Sequence, residues 1–229
     1  MTTPVARPPA EVVGFYSRVG RLFELWGRVT DSRARARVLE LCDLRDGEAV
    51  LEVGVGAGTQ LLQLASANPA GRTVGIDLAE GMLAEARRRT GAAGVAGVQL
   101  LAADARALAF EDDSFDLVTS AYVLDILPEP EIRQALAELA RVLRPGGRMV
   151  LCHVTLAERR AHRLPELLYG SGLPLTGNCR GILLAPALRD FGFAEIHREY
   201  GAQMLLPSEI LFARLPGSRR SMTATFRCG

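Results

Sequence analysis

The chain is poor in cysteine, carries almost no net charge and has no long apolar run, and each shortage removes a class of function. Its four cysteines, Cys42, Cys152, Cys179 and Cys228, stand far apart and form no CxxC pair. That spacing excludes a zinc module and a dense disulfide framework, so no metal is expected and the thiols read as those of a reduced, cytoplasmic protein. The 27 Lys and Arg against 26 Asp and Glu leave a formal charge of +1. No global field would gather phosphate backbones, and nucleic acid is not expected as a partner. No stretch of about 18 apolar residues occurs, and Met1 to Pro9 is polar and Pro-rich without an apolar h-region. Neither a membrane span nor an export signal is expected.

What is present is an ordinary globular composition, 48% hydrophobic and 23% charged, in 229 residues. This is enough for one sizeable domain with attachments and too little for two. Val12, Phe15, Val19, Leu22, Phe23 and Trp26 recur at helical spacing, and Asp31 can cap a second helix that runs to Leu41. After this helical cap, residues 1–44, strands alternate with helices. The predicted strands are Ala49 to Gly54, Thr73 to Asp77, Gly97 to Ala102, Phe115 to Ala121 and Gly147 to His153. Helices are predicted through Leu61 to Leu64, Glu80 to Arg89, Glu131 to Leu143 and Leu183 to Phe191. Ala194 to Tyr200 and Glu209 to Leu215 read as a closing hairpin. The pattern implies a doubly wound α/β fold with a mainly parallel seven-stranded, Rossmann-like sheet and a C-terminal antiparallel hairpin. The domain proper is expected over 45–216. The regular pattern weakens over 156–181, and the tail 217–229 shows no periodicity and is expected to be disordered.

The informative segment is Val50-Leu51-Glu52-Val53-Gly54-Val55-Gly56-Ala57-Gly58-Thr59, a strand entering a glycine turn that opens a helix. Glycine removes the Cβ and tolerates positive φ, so a ligand can approach the backbone closely, and a nucleoside cofactor is implied. The dinucleotide spacing G-x-G-x-x-G would require glycine where Thr59 stands, which makes an NAD-dependent oxidoreductase the weaker alternative. A P-loop would require a lysine after Gly58, and none follows.

With these residues the chain resembles the class I S-adenosylmethionine-dependent methyltransferases, whose first motif hh(D/E)hGxGxG is met by Val50 to Gly58. Four further segments resemble that family in order: Val74 to Asp77, Ala103-Asp104-Ala105, Phe115 to Ser120, and Arg141 to Gly147. The resemblance implies S-adenosyl-L-methionine as cofactor. It implies Gly54, Gly56 and Gly58 as its cradle, Asp77 as acceptor for the ribose hydroxyls, Met82 against the adenine ring, and Asp104 and Ala105 at the adenine amino group. Ser120 is counted with the cofactor residues, as is Tyr16, placed where relatives have a tyrosine closing over the cofactor. A carboxylate in an apolar strand needs a partner, so Glu52 is expected to hold the glycine turn or the cofactor's amino-acid end. Pro145, Gly146 and Gly147 read as a turn.

Methyl transfer needs alignment of the acceptor and exclusion of water more than it needs a nucleophile. A base could assist with a phenol or an acidic carbon, and His153 and Asp125 are the candidates; His162 and His197 are expected at the surface. The apolar residues Leu164, Leu167, Leu168, Tyr169, Leu173 and Leu175 make 156–181 a candidate cover for a hydrophobic acceptor. In Cys179-Arg180-Gly181 before a helix and Pro207-Ser208-Glu209 before the last strand the chain also resembles, more loosely, quinone-biosynthesis C-methyltransferases and bacterial phospholipid N-methyltransferases, which implies a small-molecule or lipid-like substrate and is compatible with a peripheral membrane contact. The other alternative is a cofactor-binding partner subunit without catalysis, because Asp125 stands where many relatives have His or Asn.

Overall fold

The computed structural model describes residues 32–163, 180–203 and 206–218. Tyr16, most of the expected helical cap, most of the 156–181 cover and nearly all of the tail lie outside the described residues.

Seven strands form one sheet in the order β3-β2-β1-β4-β5-β7-β6. They are β1 Ala49–Val53, β2 Arg72–Asp77, β3 Val98–Ala102, β4 Phe115–Ala121, β5 Leu143–Val154, β6 Glu195–Gln203 and β7 Leu206–Arg214. Pairing is parallel from β3 across to β5, and β7 runs antiparallel between β5 and β6. The helices are α1 Ser32–Cys42, α2 Thr59–Ser66, α3 Glu80–Ala92, α4 Glu129–Val142 and α5 Ala185–Asp190, with a 3-10 turn at Leu124–Ile126. The expected α/β architecture and terminal hairpin are both present.

The side-chain alternation of a strand explains why β1 is apolar throughout. Leu51 and Val53 pack with Ile132, Ala135, Leu136 and Leu139 of α4 and Leu188 of α5 on one face. Val50 faces the other way, with Val38 and Cys42 of α1 and Leu64 of α2. A sheet covered on both faces needs such continuous apolar runs. Order reverses at β1, which pairs with β2 on one side and β4 on the other. In an open α/β sheet that reversal leaves a crevice beyond the carboxyl ends of the strands, which is where ligands bind.

Two expectations shift. Pro145, Gly146 and Gly147, read as a turn, lie inside β5, whose register with β4 slips between Phe115 and Leu117. His162 is buried rather than at the surface, with Nδ1 2.6 Å from the Tyr200 hydroxyl, because the segment after β5 folds back over β6. A third residue had no reading at all: Arg148, 7% exposed, donates to the Cys42 and Asp43 carbonyls closing α1 and pairs with Glu48 at 2.5 Å. It is a fork that satisfies helix-end carbonyls.

Candidate functional site

The glycine turn leaves β1 at the reversal point. Gly54 and Val55 both donate to the Ile76 carbonyl, at 2.8 and 3.1 Å, so the turn is stitched to the end of β2. The three glycines are there for different reasons. A Cβ on Gly54 would lie 2.1 Å from Val123 Cγ2, and one on Gly58 2.8 Å from the Ala86 Cβ in α3. Both are small because the protein packs against them. Gly56 has φ +51° and nothing within 4 Å of where its Cβ would be. Its positive φ disfavours a side chain while the fold leaves the space open, which fits a cradle for a ligand.

Asp77 ends β2 beside this space. Its Oδ2 accepts from Gly56 N at 2.9 Å and its Oδ1 from Ala79 N at 2.9 Å. Burial holds its carboxyl above the usual carboxylate range, against the opposing pull of backbone N–H groups of Ala79, Gly56 and Leu78. Each carboxylate oxygen has two acceptor lobes, so capacity remains for donors from a ribose. Met82 follows half-buried in the first turn of α3.

Glu52 departs from its expected first role. Asp77 and the Ile76 carbonyl hold the turn, while Glu52 is 3% exposed and its Oε2 has no hydrogen-bond partner among the described residues. Burial pushes its pKa up to about 8, opposed by Arg35 and reinforced by Asp77. In parallel register with it stands Thr119, whose hydroxyl accepts from Gln60 Nε2 at 3.3 Å. Gln60 and Thr119 were not singled out from sequence, because Gln60 is one of several polar residues of α2 and only the fold turns it toward Thr119.

Asp104 and Ala105 follow β3, and Asp104 is gripped by Arg106 at 2.5 Å. Ser120 is 1% exposed and donates to the Val53 carbonyl at 3.0 Å, so its hydroxyl joins β4 to β1. The structure thus brings Gly56, Asp77, Met82 and Asp104 to the carboxyl ends of β1, β2 and β3.

The two candidate bases come to the ends of β4 and β5, and both are buried. Asp125 Oδ2 accepts from Val154 N at 3.3 Å, and the Asp125 carbonyl accepts from Arg180 N at 3.1 Å. His153 lies 1% exposed opposite Glu209 in the β5–β7 register, its Nε2 3.5 Å from Glu209 Oε1. Among the described residues neither ring nitrogen completes a hydrogen bond, although the Ile182 carbonyl favours a ring proton. Burial drives the ring's pKa down to about 3, so it is a neutral imidazole. Glu209, itself fully buried, is held by Arg198 through Oε2. The pairing of Glu209 with Arg198 was not read from the sequence, where Glu209 stood only as part of Pro207-Ser208-Glu209, because the two residues sit on different strands.

With this geometry in hand, a family model described as a methyltransferase domain matches residues 50–147. A demethylmenaquinone methyltransferase of Thermus thermophilus is 38% identical over 214 residues, spanning 91% of this chain and 89% of that protein. Other curated relatives are matched over smaller shares of their own length, 32%, 54% and 47% in three cases. Among solved structures, the [4+2]-cyclase SpnF superposes with a TM-score of 0.77 at 23% identity, covering 94% of this chain and 99% of that one. Magnesium protoporphyrin IX methyltransferase (ChlM) from Synechocystis PCC 6803, with bound SAH, superposes at 0.73 with 18% identity, covering 91% and 100%. At these identities the superpositions speak for the fold alone.

Proposed function

Because this chain belongs to the class I S-adenosylmethionine-dependent methyltransferases, we propose that it transfers a methyl group to a small, lipid-like acceptor of the quinone-precursor class. The observation that carries the reading is the near-full-length likeness, at 38% identity, to a protein named for methylating demethylmenaquinone. The near-neutral charge of +1 supports it by giving no field for nucleic acid.

When bound, S-adenosylmethionine supplies an electrophilic methyl group on a sulfonium, and the chain's own residues hold and orient. Gly56 admits the cofactor to the backbone, Asp77 accepts from the ribose hydroxyls, and Asp104 accepts from the adenine amino group. Glu52, buried near the end of β1, would pair with the ammonium of the amino-acid end, whose charge favours release of the proton that burial holds there. His153 and Asp125, at the adjoining ends of β5 and β4, line the acceptor side. Being buried and neutral, His153 suits the position of a proton acceptor only once the acceptor has displaced its surroundings.

Replacing Asp77 with Ala removes charged acceptors and frees Gly56 N, so the affinity for S-adenosylhomocysteine should fall by about 1.5 to 3 kcal/mol. Calorimetry on a folded variant with unchanged affinity would remove Asp77 from the site. The acceptor is tested by labelled-methyl transfer to quinone precursors, extracted lipids, small amines and nucleic acids in parallel. Preferential labelling of a quinone precursor or lipid is the expected result, and preferential labelling of nucleic acid overturns it. The [4+2]-cyclase fold relative makes one further outcome meaningful: tight cofactor binding with no transfer to any acceptor would point to a use of this scaffold other than methylation.

A further inference from the structure

The Asp104 carboxylate is the most fully clamped of the groups at the cofactor end. Arg106, two residues on, donates its backbone N and its Nε to Oδ1, both at 2.9 Å. It also donates Nε and Nη2 to Oδ2, at 3.0 and 2.5 Å. The far end of the guanidinium is anchored by Glu131 of α4 at 2.5 Å. Three N–H groups, the Nε proton shared between the two oxygens, thus fall on the four acceptor lobes of the carboxylate, and one lobe remains. Asp104 remains 30% exposed, so that lobe is reachable, and Arg106 holds the carboxyl below the usual carboxylate range.

A simple strut would be the plainer role, but the segment after β3 has other struts. Glu138 accepts from Leu108 N at 2.8 Å, and Arg141 donates to the Leu108 and Phe110 carbonyls at 3.0 and 2.8 Å. Those contacts tie the segment to α4 without Arg106. What the Arg106 side chain adds is a fork that fixes the rotation of a partly exposed carboxylate otherwise held only by the backbone N–H at Oδ1, and limits it to accepting one outside donor.

We propose that Arg106 is a positioning residue that sets the preference of this site for a 6-amino purine, by presenting a single ionised acceptor lobe of Asp104 to the base. The proposal rests on the reading of Asp104 as the adenine ligand. A 6-amino group donates to that lobe, whereas the 6-oxo group of hypoxanthine offers a lone pair against it and is repelled.

The test is calorimetric binding of S-adenosylhomocysteine and of S-inosylhomocysteine to the unmodified protein, Arg106→Met, Arg106→Lys and Glu131→Gln, with thermal unfolding of each. The unmodified protein should prefer the adenosine compound. Arg106→Met should lose about tenfold in affinity for it while holding the inosine compound within about twofold, so that the preference collapses. Arg106→Lys should fall between, because an ammonium keeps the charge and loses the fork. Glu131→Gln, which leaves the Asp104 contacts in place, carries the test if Arg106→Met does not fold: a weakened preference supports the clamp, and an unaltered one overturns it. Unchanged preference in a folded Arg106→Met, or equal loss of both ligands with a lowered melting temperature, overturns the proposal. If the unmodified protein binds neither compound, the cofactor reading fails and the clamp with it, an outcome distinct from binding without preference in the variant.

Discussion

Replacing Gly56 with Val is expected to leave a folded protein that binds no measurable S-adenosylhomocysteine. Two effects act together at this position. The branched side chain must adopt φ near +51°, a strained conformation costing about 1 to 3 kcal/mol. It also projects into the open space that the cradle reserves, since no atom lies within 4 Å of the built Cβ. The same openness is why the fold should survive. Val at Gly54 or Gly58 would instead drive into Val123 or Ala86, so those variants should lose stability before they lose binding. Calorimetry beside thermal unfolding on the three variants separates the cases. If the Gly56 variant binds normally while folded, the open space is not the cofactor's.

The second large effect is on stability against pH, through the buried Glu52. Its folded-state pKa of about 8 lies above the ordinary 4.5, so the native state holds its proton more tightly than the unfolded chain does. That contribution is fully present below 4.5 and is lost as pH rises to 8, amounting to about 5 kcal/mol for a fully buried group. His153 works in the opposite sense. Its pKa is depressed from 6.5 to about 3, so its contribution is full above 6.5 and is lost as pH falls toward 3. Between 4.5 and 6.5 the two slopes oppose one another, and above 6.5 Glu52 acts alone. Glu52→Gln keeps the shape without an ionisation, so it should flatten the decline on the alkaline side and be the more stable protein at pH 8. Denaturant titrations of both proteins over that window decide it. Parallel curves would mean that Glu52 is ionised and compensated in the native state.

Local pattern carried the fold because the two periods of secondary structure are written into single segments. The unbroken apolar run of β1, the glycines after it and the helical spacing in α4 need no distant partner to be read. The place of Asp77 was legible for the same reason: a carboxylate ending the second strand lies beside the crevice. The roles of Glu52, His153 and Arg106 were not legible. Whether a carboxylate in an apolar strand meets a donor, or a histidine at a strand end meets solvent, depends on what the neighbouring strand brings opposite it.

The sequence by itself determined a doubly wound sheet and the glycine turn after its first strand, since these follow from residue spacing within one strand-turn-helix unit at a time, and five motifs in order carried the resemblance to the family. Only the tertiary structure decided that Asp77 rather than Glu52 holds the turn, that Glu209 and Arg198 underlie His153, and that Arg106 clamps Asp104 against α4. The reason is physical. Charge, burial and hydrogen-bond partnership belong to pairs of groups, and the strand order β5-β7-β6 joins residues such as His153 and Glu209 that no local period relates.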